Sequence, residues 1–329
     1  MVNRSIPQYR DLPRETNDLY PNAWGVFGKE DQIGTLNHLT PARVQSALAS
    51  VKTGQVLNLN LPLDFFNPPL IAHRGVPSHE IFGLNEFHRD DRIDNFFPQA
   101  GTQLDSLRHF ANPDKGFYNG FNGDEIVVGT PELGIQQVAQ LGIVGRGILL
   151  DVERYRAAQG LPINQNSNDQ ITVADLEGTI AFQNSEITPG DILLVRTGWL
   201  TAVRNGSAII TSPVQSPGLA QSESIAEWLW NKQVAMAAAD NVALEAWPAE
   251  RENIRTRAEE SGSIERSNHT GMLHRILIPL LGLTIGELWD LDELAVACVN
   301  RASYTFLLTA EPLNMTGGVG SPANALAII

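Results

Sequence analysis

Gly147-Ile148-Leu149-Leu150-Asp151-Val152 is a short run, apolar at nearly every step, and Asp191-Ile192-Leu193-Leu194-Val195-Arg196 repeats the pattern behind a Pro189-Gly190 turn. Such runs read as strands buried on both faces, not as alternating surface strands. A third candidate strand runs from Val234 to Ala239. Between them lie two helical patterns, one from Val173-Ala174-Asp175-Leu176-Glu177 onward and one from Ser222 to Asn231. Buried strands interleaved with helices predict an α/β chain with a mixed central β-sheet flanked by helices.

Upstream, Thr40 is placed to cap a helix that has Pro41 in its first turn and apolar positions at Val44, Leu48 and Val51, with Gly54 as its stop. Val56-Leu57-Asn58-Leu59-Asn60-Leu61 alternates as a half-buried strand does. The first forty residues are polar and proline-containing, with Trp24-Gly25-Val26-Phe27-Gly28 and Gly34-Thr35-Leu36-Asn37 near their end. They predict an N-terminal arm (1–40), able to pack on a partner subunit, ahead of one domain over 41–329. No long low-complexity linker and no internal repeat interrupts the chain.

The 329 residues are 43% hydrophobic and 18% charged, ordinary for a globular protein. A formal net charge of -14 and a pI near 4.9 give a mean field that repels phosphate backbones and anionic membranes, so neither nucleic acid nor membrane is an expected partner. Cys298 is the one cysteine, in the apolar run Leu294–Val299, which excludes an intrachain disulfide or a multi-thiolate zinc site. Met1 to Pro7 carries no apolar core of the signal-peptide kind, and the apolar stretch Ile276–Gly286 is too short to span a bilayer; the expected location is cytoplasmic.

Chemistry concentrates in Gln99-Ala100-Gly101-Thr102-Gln103-Leu104-Asp105-Ser106-Leu107-Arg108-His109-Phe110. In extended backbone Gln103 and Asp105 point to one side, and a turn brings His109 beside them. A carboxylate next to an imidazole can fix its tautomer and raise its basicity, the requirement for an acid/base pair.

This stretch resembles the cyclase family of kynurenine formamidase-like and isatin hydrolase-like metal-dependent hydrolases, whose hallmark is His-x-Gly-Thr-His-x-Asp-x-x-x-His. Gly101, Thr102, Asp105 and His109 keep that register, while Gln99 and Gln103 stand where the two metal-binding histidines belong, a divergent Gly-Thr-Gln pattern. Gly145–Val152, Gly190–Trp199 and Ala239-Asp240-Asn241 through Glu245 resemble further family blocks in the same order. Leu273-His274-Arg275 and Gly286–Leu291 resemble the later segment that supplies a metal-binding histidine and glutamate, here His274 and Glu287. The resemblance implies a swivelling β/β/α domain, assembled as a homodimer or homotetramer and acting on a small-molecule substrate. It also implies one divalent ion, manganese or zinc, held by Gln103, Asp105, His274 and Glu287.

A glutamine amide oxygen can ligate a hard cation but carries no charge and binds late transition metals less well than imidazole. Three readings follow. In the first, one ion activates water to hydrolyse a lactone, amide or ester, with His109 as general base and then acid. In the second, Asp105 and His109 transfer protons without a metal, as in a cyclase or dehydratase. In the third, a non-catalytic pocket captures a small molecule. The two glutamines also point away from kynurenine formamidase activity itself and toward another cyclic or acylated substrate.

Gln99, Ser106 and His88 are the candidate substrate-binding residues, His88 because it precedes the charge cluster Arg89-Asp90-Asp91-Arg92. Neither a Gly-x-Ser-x-Gly elbow nor a Walker-type phosphate loop occurs. Gly318-Val319-Gly320-Ser321-Pro322-Ala323 mimics a dinucleotide fingerprint but leaves no length for the crossover helix and second strand that such a site needs.

Overall fold

The three apolar runs become the centre of one sheet. The computed structural model describes residues 6–329; residues 1–5, which open both the expected arm and the segment read for a signal-like core, lie outside the described residues. The strands are β1 (Val56–Asn58), β2 (Ser78–Asn85), β3 (His88–Asp94), β4 (Gln103–Asp105), β5 (Ile143–Asp151), β6 (Gln170–Ile171) and β7 (Ile192–Arg196). They continue with β8 (Gly218–Leu219), β9 (Met236–Ala239), β10 (Thr284–Glu287), β11 (Thr305–Ala310), β12 (Gly320–Pro322) and β13 (Leu326–Ile328). Nine of them form a mixed sheet in the order β1-β13-β11-β5-β7-β9-β10-β4-β12, parallel from β5 through β10 and antiparallel elsewhere.

This sheet cannot be flat. β12 pairs at one edge and β13 near the other, yet residues 323–325 alone connect them. Four peptide steps reach at most about 14 Å, whereas seven strand spacings of a flat sheet span about 34 Å. The sheet therefore curls into a half-barrel. Backbone N–H groups and side chains tie the gap: Leu59 donates to the Ala325 carbonyl at 3.1 Å, and Leu61 to Thr102 Oγ1 at 2.9 Å.

The helices are α1 (Pro41–Ala47), α2 (Ile135–Leu141), α3 (Val152–Ala158), α4 (Val173–Phe182), α5 (Trp199–Arg204), α6 (Glu223–Asn231), α7 (Arg257–Glu260), α8 (His274–Leu277) and α9 (Asp292–Arg301). Both faces of the central strands are covered, which explains their unbroken apolar character. Ile148, Leu150, Leu193, Val195, Ala237 and Ala239 join Leu176 of α4, Ile225 and Leu229 of α6 and Leu277 of α8 in one core. Leu149, Ile192, Leu194, Met236 and Ala238 face the other core, with Val138 of α2, Leu294 and Cys298 of α9, and the small residues Ala323, Ala325 and Ala327. Each fully buried aliphatic side chain contributes about 1.5–3 kcal/mol, so the alternation along β5, β7 and β9 is the main stabilising pattern. Small residues let the curl close around Trp289: a Cβ on Gly286 would lie 2.6 Å from its Nε1 and 2.8 Å from Ala238 Cβ.

Several expectations need correction in detail. Thr40 caps α1 by accepting from Arg43 N at 3.4 Å, but the helix gives way to a 3-10 turn at Leu48–Ser50; Ala47 is the buried residue and Leu48 is exposed. Leu57, Leu59 and Leu61 are buried as the alternation predicts, while the ladder covers only Val56–Asn58 because its partner β13 is three residues long. The β2–β3 ribbon stands exposed along its whole length, and its charged composition hid it from a pattern search. No helix among the described residues is long and apolar enough to cross a membrane.

Candidate active site

β4 lies between β10 and β12, and its register builds the site. Gln103 faces Glu287 on β10 and Pro322 on β12; Asp105 faces Ile285 and Gly320. Because side chains alternate across a strand, Leu104 enters the core while Gln103 and Asp105 share the opposite face with Glu287. Gln103 Nε2 donates to Glu287, and its backbone carbonyl accepts from Trp289 Nε1 at 2.9 Å. Thr102 anchors the strand's start by donating to the Leu288 carbonyl at 2.6 Å.

After β4 the chain turns, with His109 N donating to the Ser106 carbonyl at 3.0 Å, and the ring returns toward the strand. His109 Nε2 is 3.9 Å from Asp105 Oδ2. Gln99 bridges the two: its Nε2 is 2.6 Å from Asp105 Oδ1 and 3.2 Å from His109 Nδ1. A Cβ on Gly320 would lie 2.7 Å from Gln99 Cγ, so only glycine leaves the bridge in place. Asp105 is wholly buried, whereas the His109 side chain keeps 24% of its surface and forms the open edge. Burial pushes the Asp105 carboxyl up, with Glu287 adding to it and His109 opposing; burial likewise pushes His109 down, against the pull of Asp105.

His274 opens α8 with both ring nitrogens engaged. Nδ1 bonds to Glu245, whose carboxylate also accepts from the backbone N–H groups of Leu273 and His274, and Nε2 is 3.2 Å from Glu287 Oε1. Burial lowers the pKa of His274, but the bonds to Glu245 and Glu287 outweigh it and raise it to about 10, so an ion bound at Nε2 would replace the proton that otherwise sits between the ring and Glu287. The pairs Glu245–His274–Glu287–Gln103 thus form a continuous buried chain.

The donor set fits a divalent ion. Gln103 Oε1 and Asp105 Oδ2 are buried oxygens with no hydrogen-bond partner, on the face that also carries Glu287. Two ligands of one small ion lie about 3 Å apart, the separation of His274 Nε2 from Glu287. Ligating atoms of Asp105, His109 and His274 lie within 4.8 Å of one another, a His/Asp triad able to hold an ion that shares Asp105 and His274 with that set. Glu245 behind His274 is placed as the carboxylate partner that would fix the ring if it ligates an ion.

Gln103, Asp105, His109, His274, Glu287 and Gln99 therefore come together, while two other sequence candidates do not. Ser106 is fully buried, and its hydroxyl donates to the Val319 carbonyl at 3.0 Å and accepts from Arg108 N at 3.2 Å, so it braces β4 against the residues before β12. His88 sits exposed near the tip of the β2–β3 ribbon, without a hydrogen bond to the cluster. Gln99, the other substrate-binding candidate, bridges Asp105 and His109. Glu245 ends a family-like block, but nothing local in the sequence marks its pairing with α8.

A family model described as "Putative cyclase" matches residues 37–246. A crystal structure described as a novel cyclase is 32% identical, covers 94% of this chain and 99% of its own, and superposes with a TM-score of 0.75. Isatin hydrolase A from Labrenzia aggregata, bound to benzyl benzoate, is 17% identical with 88% and 98% coverage and a TM-score of 0.57. Isatin hydrolase A from Ralstonia solanacearum gives 17%, the same coverages and 0.54. The two hydrolases share the fold with this chain. No curated protein sequence matches. The chain belongs to the cyclase family, an α/β group built on this curled sheet.

Proposed function

We propose that this protein is a metal-dependent hydrolase of a small cyclic or acylated substrate, cleaving a lactone, amide or ester bond. The observation that carries the reading is the pair of partnerless buried oxygens, Gln103 Oε1 and Asp105 Oδ2, beside His274 and Glu287. Those four residues would hold the ion, with manganese or zinc the candidates. When bound, a divalent ion lowers the pKa of water and polarises a carbonyl. Glu245 orients the ring of His274, and Gln99 orients that of His109. His109, at the open edge, takes a proton from the attacking water and returns it to the leaving oxygen or nitrogen. Asp105, ionised when the divalent ion is bound beside it, would stabilise the imidazolium formed in between.

The finer architecture we assign is the swivelling β/β/α domain over 41–329, with the arm and the exposed ribbon as surfaces for a homodimer or homotetramer. Exposed Ile81, Leu84 and Phe87 support this role for the ribbon, since a two-stranded ribbon is marginally stable alone. A metal-free cyclase or dehydratase is the second reading, supported by the direct contacts of His274 with Glu245 and Glu287, which engage both ring nitrogens.

Elemental analysis of the purified protein, before and after dialysis against a chelator, tests the first reading. A near-stoichiometric ion whose removal abolishes ester or lactone hydrolysis, and whose return restores it, is expected. Failure to bind Mn²⁺ or Zn²⁺ on re-addition overturns it in favour of the metal-free reading.

A further inference from the structure

Beside the open edge of His109 stands a cation that no carboxylate answers. Arg74 is half-buried, and its Nη1 donates to the backbone carbonyl of Gln99, the residue whose amide bridges Asp105 and His109. Among the described residues no carboxylate lies within ion-pair distance of it, and its Nε and Nη2 make no hydrogen bond. In a chain with 37 acidic and 23 basic residues, an arginine left without an acid next to a reactive site calls for a reason. Two other arginines near the site have one. Arg108 is held by the carbonyls of Thr130 and Glu132 at 2.9 and 2.8 Å, and Arg275 by Glu259 at 2.5 and 2.9 Å.

The surroundings of His109 add an aromatic floor. The Phe110 ring lies 5.7 Å from His109 and 5.7 Å from His269, and His269 lies 6.5 Å from Trp247. Phe110 and Trp247 are both half-buried. Nε and Nη2 form the straight edge of a guanidinium, which pairs bidentately with a planar carboxylate.

We propose that Arg74 is a substrate-recognition residue: the ligand is a small molecule with a carboxylate on the free edge of Arg74 and a planar apolar body over Phe110 and Trp247. Resting on the hydrolase reading, this narrows the substrate to lactones, amides or esters that also carry an anionic group, and positions the reacting carbonyl at His109.

Calorimetric titration of the full chain with benzoate and with uncharged benzamide tests the assignment. Chelator-treated protein is used, so that a carboxylate cannot report on a bound ion. The wild type should bind benzoate at least about tenfold more tightly than benzamide, the scale of a hydrogen bond to a charged group. Arg74→Gln should erase that preference with benzamide binding unchanged, and Arg74→Lys should keep part of it. Equal binding of the two probes, no binding of either, or an undiminished preference in Arg74→Gln overturns the proposal. The titration involves no turnover and no metal, so failure of the carboxylate preference counts against Arg74 alone, and loss of hydrolysis or of metal binding counts against the hydrolase reading alone.

Discussion

The imidazole of His274 and the carboxylate of Glu245 are hydrogen-bonded in the protein interior, where the two residues are 2% and 1% exposed. Removing the charge while keeping the shape isolates what that bond does. Glu245→Gln should weaken binding of Mn²⁺ or Zn²⁺ by about 10–100-fold, the usual effect of losing the partner behind a ligating ring. Equilibrium metal titration checks it, and an unaltered affinity removes Glu245 from the site.

Asp105 and His109 carry the chemistry proposed, and their exposure separates the expected effects. Asp105→Asn should abolish hydrolysis while leaving the protein folded, since an amide fits the same buried volume without the cost of a buried charge. His109→Ala, at the open edge, should reduce kcat by about 10²–10⁴-fold with an unchanged melting transition. Full activity in either variant would sink the assignment.

Trp289 links packing to the site, because its Nε1 donates to the Gln103 carbonyl while its ring rests on Gly286. Gly286→Ala should destabilise the fold by about 1–3 kcal/mol, the range for overpacking a filled core. Urea unfolding measures this, and a midpoint equal to that of the wild type contradicts the packing described.

His38 is 4% exposed against Phe27, and burial, aided by the positive charge of Arg43, lowers its pKa to about 4. The unfolded chain takes up this proton near pH 6.5 and the folded protein does not, so His38 favours unfolding as pH falls from about 6.5 toward 4, by on the order of 3 kcal/mol. Asp240 acts in the opposite direction. Burial raises its pKa from 3.8 to about 6, so stability from this carboxyl is present below 3.8 and lost as pH rises through about 6. His38→Gln should therefore gain Tm relative to the wild type between pH 7 and pH 5. Parallel Tm curves over that window would show that His38 is not held neutral.

What could be seen in the sequence was whatever local pattern encodes. The runs at Ile148, Ile192 and Met236 announced buried strands because both faces of the parallel centre are covered. Asp105 and His109 are four residues apart, so one turn suffices to join them. Glu245 and His274 meet only because the strand order sets the loop after β9 beside α8. The extent of β1 likewise depended on β13, at the far end of the chain. Gln99 was legible as a departure from the family pattern, but its bridging bonds required the side-chain positions.

The closing segment has a consequence for folding order. β1 pairs with residues 326–328, and β4 pairs with residues 320–322 as well as with β10, so sheet closure joins parts of the chain that are far apart in sequence. Non-local pairing of this kind is the slow part of folding, because loop entropy is lost before contacts reward it. We predict that the wall of the site beside Asp105 is completed late in folding. A chain trapped before that stage would hold its central helices and strands while having no ordered reaction centre, so refolding followed by activity should lag refolding followed by circular dichroism.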